Sequence, residues 1–260
     1  MKETHHLKSM TSPADKSLVR LNKFLSVAGV CSRRKADDMI QKGVVRVNGK
    51  IILSLGSKID PVNDKVTVND RQVVQLDQPV YVLFNKPKDC ITTASDERGR
   101  ATVMDYVQLK NRVFPIGRLD RNTTGVLLLT NDGELTNRLM HPKFEIQKSY
   151  TVTLDRPLRP EHANQLVKGI RLSEGKTKPA EVYYPPGNKK KFVGIVIHEG
   201  RNRQVHRMFE ALGYEVAKLD RGAYAGITYE GVPRGRWRYL TRGEVRRLKE
   251  AAGVRSHEQT

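Results

Sequence analysis

Cysteine is nearly absent: the 260 residues hold two, Cys31 and Cys90, far apart and in no C-x-x-C pair. That scarcity excludes a disulfide scaffold and fits a reduced compartment, so the expected setting is the cytoplasm. The seven histidines show no zinc-ligand spacing, and His5-His6 reads as a tag remnant or chance, so no metal is expected. Long apolar runs are missing as well. None approaches the roughly 20 residues that cross a bilayer, and residues 1–16 are polar, without the apolar core of a secretory signal. Negative charge is also in short supply: 28 Asp and Glu stand against 47 Lys and Arg, a net charge of +19, with a pI near 10.0. Such an excess calls for a polyanionic partner, nucleic acid first and an anionic membrane surface second. Hydrophobic residues make up 38%, low but enough for the cores of one large or two modest domains.

Residues 1–17 read as a disordered arm, and a compact unit follows over residues 18–75. Leu21, Phe24, Leu25 and Ala28 fall on one helical face, which Gly29 ends. Ser32 is placed to cap a second helix running through Ile40, with Gly43 to close it. Val44 to Ile52 reads as strand, Asn48-Gly49 turn and strand; Lys65 to Val74 reads as another hairpin around Asn69-Asp70. Arg20, Lys23, Arg33, Arg34 and Lys35 gather on the helices and the turn between them, with Arg46 and Lys50 on the hairpin. A face of this kind contacts phosphates without reading bases.

After a short polar linker, residues 75–79, strands alternate with helices from residue 80 to 252, and residues 253–260 form a tail. Strands are expected over Val80–Phe84, Val126–Thr130, Lys148–Leu154 and Lys191–His198, with Val193, Ile195 and Ile197 on one face of the last. Helices are expected over Thr102–Val107, Glu134–Met140 and Glu161–Lys168, and behind the stripe Val205, Met208, Phe209 and Leu212, where Arg203 and Arg207 at i and i+4 share another face. Thr241-x-x-Glu244 is a capping box for a last helix through Ala252. The fold class is therefore α+β, a small N-terminal domain before a larger mixed one.

The chemistry concentrates in Pro115-Ile116-Gly117-Arg118-Leu119-Asp120-Arg121-Asn122-Thr123-Thr124-Gly125, just ahead of the apolar run Val126–Leu129. One carboxylate, Asp120, stands between Arg118 and Arg121. Held there it would stay ionised and could act as a nucleophile, among cations that suit a polyanionic substrate.

Two resemblances organise these features. Arg20-Leu21-Asn22-Lys23-Phe24-Leu25, Ala28-Gly29-Val30-Cys31-Ser32-Arg33-Arg34-Lys35-Ala36 and Val45-Arg46-Val47-Asn48-Gly49 resemble the S4 RNA-binding domain, which implies binding to structured RNA. From residue 80 onward the chain resembles the RsuA-type pseudouridine synthases of ribosomal RNA. The residues that carry this are Asn85-Lys86-Pro87, Gly117-Arg118-Leu119-Asp120 with Thr124-Gly125, Leu128 to Gly133, Lys148-Ser149-Tyr150, Glu199-Gly200 with Asn202-Arg203-Gln204-Val205, Leu219 with Arg221, and Gly235-x-Trp237-Arg238. Leu139-Met140-His141-Pro142 leans towards the branch acting on large-subunit (23S) RNA.

The resemblance implies a central, mostly antiparallel mixed sheet with flanking helices and a cleft across it. It implies Asp120 as the catalytic carboxylate and Tyr150 as the ring that packs on the target base. It implies Arg118, Arg203, His206 and Arg207 around the substrate, and no cofactor. The family places Arg or Lys after Arg203-Gln204-Val205 to pair with the carboxylate; here that position is His206. Either a protonated His206 pairs with Asp120, or Arg203 or Arg207 supplies the charge. The implied partner is ribosomal RNA, free or in an assembly intermediate; the sequence leaves the oligomeric state open, with a monomer as the default expectation. Two other classes compete: a non-catalytic RNA-binding or ribosome-assembly factor, and an RNA hydrolase, which would need a carboxylate cluster for two metals.

Overall fold

The protein is described by a computed structural model that covers residues 18–74, 78–93, 96–185 and 191–254. The expected N-terminal arm, the middle of the linker and tail residues 255–260 lie outside the described residues. The chain divides into two compact units, 1–78 and 79–260.

In the first unit β1 (Val19–Arg20) leads into α1 (Leu21–Val27) and α2 (Arg33–Gln41). Ser32 Oγ accepts the amide of Lys35 at 3.2 Å and caps α2. Then come β2 (Val45–Val47), β3 (Lys50–Ile51), β4 (Lys58–Ile59), β5 (Val66–Val68) and β6 (Arg71–Gln72). A four-stranded antiparallel sheet runs β3-β2-β5-β6, and β1 pairs separately with β4. Asn48 (φ 50°) and Gly49 (φ 79°) form the left-handed pair that a two-residue hairpin demands. Leu21, Phe24, Leu25, Ala36, Ile40, Val45 and Ile59 close the core.

The second unit is built on β7 (Tyr81–Lys86), β8 (Phe114–Pro115), β9 (Thr124–Thr130), β10 (Lys148–Leu154), β11 (Arg171–Leu172), β12 (Gly175–Lys176), β13 (Glu181–Tyr183), β14 (Phe192–Ile197), β15 (Val216–Tyr224), β16 (Ile227–Thr228) and β17 (Trp237–Tyr239), with α3 (Val103–Tyr106), α4 (Gly133–Met140), α5 (Pro160–Lys168), α6 (Gln204–Glu210) and α7 (Arg242–Ala251). The main sheet runs β13-β14-β10-β15-β9-β7-β17, with β8 and β16 attached to β9 and β15. Every pairing in it is antiparallel except β15 with β9. The main sheet is thus mixed and mostly antiparallel, as the family resemblance implied.

Strand β9 is apolar without alternation because it is covered on both sides. Leu127 and Leu129 pack with α3, α5 and α6 on one face; Val126 and Leu128 pack with α4 and α7 on the other. The capping box forms as expected, Thr241 Oγ1 accepting from the Glu244 amide at 3.2 Å and Glu244 accepting from the Thr241 amide at 2.8 Å. Val254 packs on the α4–α7 core, so the first two residues of the expected tail belong with that core.

Strand β15 was not legible in the sequence. Val-Ala-Lys-Leu-Asp-Arg-Gly-Ala-Tyr has no clean period of two, yet it is the strand that joins the two halves of the sheet. Its acid, Asp220, is held by neighbouring side chains. Asp220 accepts from Thr124 Oγ1 and Tyr229 Oη and pairs with Arg234 Nη2 at 2.8 Å. Gly125 sits where β9 and β15 meet, at φ +104°, and a Cβ there would stand 2.2 Å from the carbonyl oxygen of Arg221.

Candidate active site

Asp120 lies on the loop between β8 and β9, and that loop is pinned from below by a buried cation. Lys86, at the end of β7, is fully buried. Its Nζ donates to the carbonyls of Pro87, Asp120, Arg121 and Thr123 at 2.9–3.1 Å. Burial, the largest influence, holds its ammonium down at about 8, against the pull of Cys90 and Asp120. On the other side Thr92 Oγ1 donates to Leu119 O at 2.8 Å and accepts from Leu119 N at 3.2 Å. The side chain of Leu119 is in the core. With its neighbours fixed, the Asp120 carboxylate projects into a cleft of about 340 Å³. Its side chain is 37% exposed.

The cations nearest this carboxylate are not the sequence neighbours. Arg121 is turned to Asp89 at 3.2 Å. Arg118 is exposed and lines the cleft, but among the described residues it makes no ion pair with Asp120. The expected clamp between Arg118 and Arg121 does not form: Arg121 is drawn away by Asp89, and Arg118 lies exposed along the cleft. Arg203 Nη1 lies 3.8 Å from Asp120 Oδ2, and His206 Nδ1 lies 4.0 Å away.

Arg203 takes a left-handed conformation, φ 47°, at the N-cap of α6. It therefore stands off the helical path, and the face expected to carry Arg203 and Arg207 together is split. Arg207 points to the β11–β12 hairpin instead, where Nη1 bonds Glu174 at 2.6 Å and Nη2 bonds Ser173 Oγ at 3.1 Å. It is not a partner of Asp120. His206 is mostly buried, its side chain 15% exposed, and its Nδ1 has no hydrogen-bond partner among the described residues. Burial first, then the charge of Arg203, push the imidazole below its usual pKa against the opposing pull of Asp120 and Glu210. The imidazole is therefore neutral near pH 7, and the permanent cation facing Asp120 is Arg203.

Tyr150, on β10, is a cleft wall and a core residue at once: it is 8% exposed and packs with Leu219, Val205 and Met208. Leu219 lines the same cleft. The segment before α6, singled out in the sequence as a motif, is largely scaffold. Glu199 accepts from Gln204 Nε2 at 2.7 Å, the Lys178 amide at 3.0 Å and Arg201 Nε at 3.2 Å. Arg201 also donates to the carbonyls of Gly175 and Lys176 at 2.9 and 2.6 Å. These bonds fix the turn from which Arg203 reaches Asp120. Asn85 has a parallel duty, its Nδ2 donating to Val232 O at 2.7 Å and its Oδ1 accepting from Arg234 at 2.6 Å.

A second concavity, about 470 Å³, opens beyond the carboxylate and is bordered by Arg121, Arg203, Tyr214 and Lys218. Asp120 stands in the wall between the two. Among the described residues no group of three His, Cys, Asp or Glu side chains is arranged to hold a metal ion.

In the first unit Arg20, Lys23, Arg33, Arg34 and Lys35 are exposed and make no ion pair among the described residues. Arg46 differs: it pairs with Asp70 at 3.4 Å across the neighbouring hairpin turn. Lys86 is the residue whose function-related placement sequence reasoning missed. The only signal for it was its position in Asn85-Lys86-Pro87.

A mixed sheet with a cationic cleft around one carboxylate, on the same chain as a small unit with an unpaired basic face, defines an RNA-modifying enzyme. The RNA pseudouridylate synthase family profile matches residues 80–211, and the S4 domain profile matches residues 19–66. The chain is 48% identical over 237 residues to the ribosomal large subunit pseudouridine synthase B of Bacillus subtilis, covering 90% of this chain and 96% of that one. It is 38% identical over 232 residues to the dual-specificity RNA pseudouridine synthase RluF of Escherichia coli, covering 88% and 78%. A crystal structure of a pseudouridylate synthase superimposes with a TM-score of 0.65 at 31% identity, over 88% of this chain and 99% of that one. The chain belongs to the RNA pseudouridine synthases, in the S4-bearing RsuA-type group, and is an isomerase of uridine in RNA.

Proposed function

We propose that this enzyme converts a particular uridine of large-subunit (23S) ribosomal RNA to pseudouridine, acting as a monomer in the cytoplasm on free RNA or an assembly intermediate, with Asp120 as the group that works on the ribose. The observation that carries the reading is one half-exposed carboxylate in a cleft, facing Arg203 across 3.8 Å, with Tyr150 in the wall. The relative named for the large subunit and the basic face of the first unit support the choice of substrate.

A stacked uridine has to leave its helix before the base can turn, at a cost of a few kcal/mol. Arg118 and Arg203, both at the cleft, offer phosphate contacts that offset this, and stacking on Tyr150 adds about 1–3 kcal/mol. Two routes balance. In the first, an Asp120 oxygen attacks C1′ and the C1′–N1 electrons leave with uracil as its anion. The base turns, C5 attacks C1′, and the carboxylate departs. In the second, Asp120 takes the C2′ proton as uracil leaves, giving a glycal, and returns it when C5 adds to C1′. Either way the C5 proton is lost, N1 gains one, and nothing is oxidised.

The test is tritium release from C5-tritiated ribosomal RNA. Asp120→Ala and Asp120→Asn should abolish release and leave RNA affinity within about threefold, the signature of a group needed in the transition state alone. Release persisting in Asp120→Ala would remove the assigned role. RNA binding without release by the parent protein would leave a binding factor in its place.

A further inference from the structure

Lys148, two residues before Tyr150 on β10, lines the cleft beside Tyr224. Its Nζ lies 5.6 Å from the centre of the Tyr224 ring and makes a single hydrogen bond among the described residues, to Ile146 O at 2.8 Å. Two of its three donors are unspent. Arg221 lies against the same ring, its guanidinium 5.0 Å from the centroid. It is 3% exposed, gives Nε to Val126 O at 2.7 Å, and leaves Nη2 buried without a partner among the described residues. No carboxylate pairs with either cation among the described residues. The nearest acid that influences Lys148, Glu199, has its oxygens committed to Gln204, Arg201 and the Lys178 amide.

Two cations without a counter-ion in a poorly solvated floor are costly unless an anion arrives to meet them. The reaction brings one. When C1′–N1 breaks, both electrons stay with the base, and the charge spreads over N1, O2 and O4 of uracil. We infer that Lys148 is a catalytic residue that donates a hydrogen bond to a carbonyl oxygen of the departing uracil anion, with Arg221 nearby adding to the field. Lys148 keeps its proton throughout. The charge it meets is absent from the bound uridine and is consumed when C5 bonds to C1′, so the interaction is stronger in the transition state than in the ground state. Burial first and Arg221 second hold the Lys148 ammonium at about 8, which leaves it protonated at neutral pH.

This inference rests on the isomerase role assigned to Asp120, and the experiment separates the two. Single-turnover tritium release from C5-tritiated 23S RNA is measured with enzyme in excess for Lys148→Met, Lys148→Gln, Lys148→Arg and Asp120→Ala, beside filter-binding affinities and thermal melts. Lys148→Met and Lys148→Gln should each be slowed about 100-fold at unchanged RNA affinity, the size of loss typical for a donor aimed at developing charge. Lys148→Arg, which keeps the cation, should recover to within about tenfold of the parent. A Lys148→Met enzyme within threefold of the parent would overturn the inference, as would a Lys148→Arg enzyme as slow as Lys148→Met, or a defect confined to affinity. Release by Asp120→Ala would instead strike the reading beneath it.

Discussion

Gly125→Ala and Gly117→Ala form a controlled pair, because both glycines belong to the Asp120 segment and both have positive φ, +104° and +73°. At Gly117 nothing among the described residues lies within 4 Å of a new Cβ, so alanine meets only the left-handed backbone penalty, about 1–2 kcal/mol. At Gly125 the same methyl would stand 2.2, 2.7 and 2.8 Å from the O, N and C of Arg221. Relief requires β9 and β15 to part by on the order of 1 Å, which threatens the two registered pairs, Thr124 with Asp220 and Gly125 with Arg221. One or two weakened hydrogen bonds at about 0.5–1.5 kcal/mol each, added to the backbone penalty, give about 1.5–5 kcal/mol. For a unit of this size 1 kcal/mol moves Tm by about 2–4 °C, so Gly117→Ala should melt a few degrees below the parent and Gly125→Ala several degrees lower still. Trp237 is the sole tryptophan and sits on β17 of the catalytic unit, so its fluorescence reports this unit alone. Equal melting losses for the two variants would refute the close-approach reasoning.

Three further outcomes follow from the geometry. Arg203→Ala should slow tritium release by on the order of a hundredfold and more than His206→Ala does, because the buried imidazole is neutral; the reverse ranking would make His206 the partner of Asp120. Arg207→Ala, which cuts an exposed pair with Glu174, should leave turnover within about twofold and stability within 1 kcal/mol, and a large loss of rate would contradict its placement. Glu244 takes a bidentate bond from Arg238, both arms at 2.7 Å, and that bond holds its pKa down at about 2. A depressed acid stabilises above its unfolded pKa and loses that stability as pH falls from about 4.5 through 2. Glu244→Gln should therefore cost about 2–3 kcal/mol at pH 7 and flatten the acid limb of the urea midpoint, and an unchanged limb would sink the assignment.

Much of this protein is written in short-range signals. The Ser32 and Thr241 caps, the Asn48-Gly49 turn and the buried run of β9 are set by contacts within a few residues, and they were readable without a fold. The motif around Asp120 marked the acid itself in the same way. Lys148-Ser149-Tyr150 carried both Tyr150 and, unnoticed, Lys148. The edge strand β13 and the small β11–β12 hairpin gave no usable pattern, being only two or three residues long.

The sequence by itself determined two units, their element types, the scarcity of acid and the family. Tertiary structure decided which charges meet. Arg118 and Arg121 adjoin Asp120 in the chain yet leave it, while Arg203 reaches it because one left-handed residue breaks the helical spacing that would have set it beside Arg207. Lys86 became the anchor of the Asp120 loop, and β15 the bridge of the sheet, through partners distant in the chain. Helix and strand periods describe neighbours along a backbone; a carboxylate selects its cation by the path that backbone takes through space.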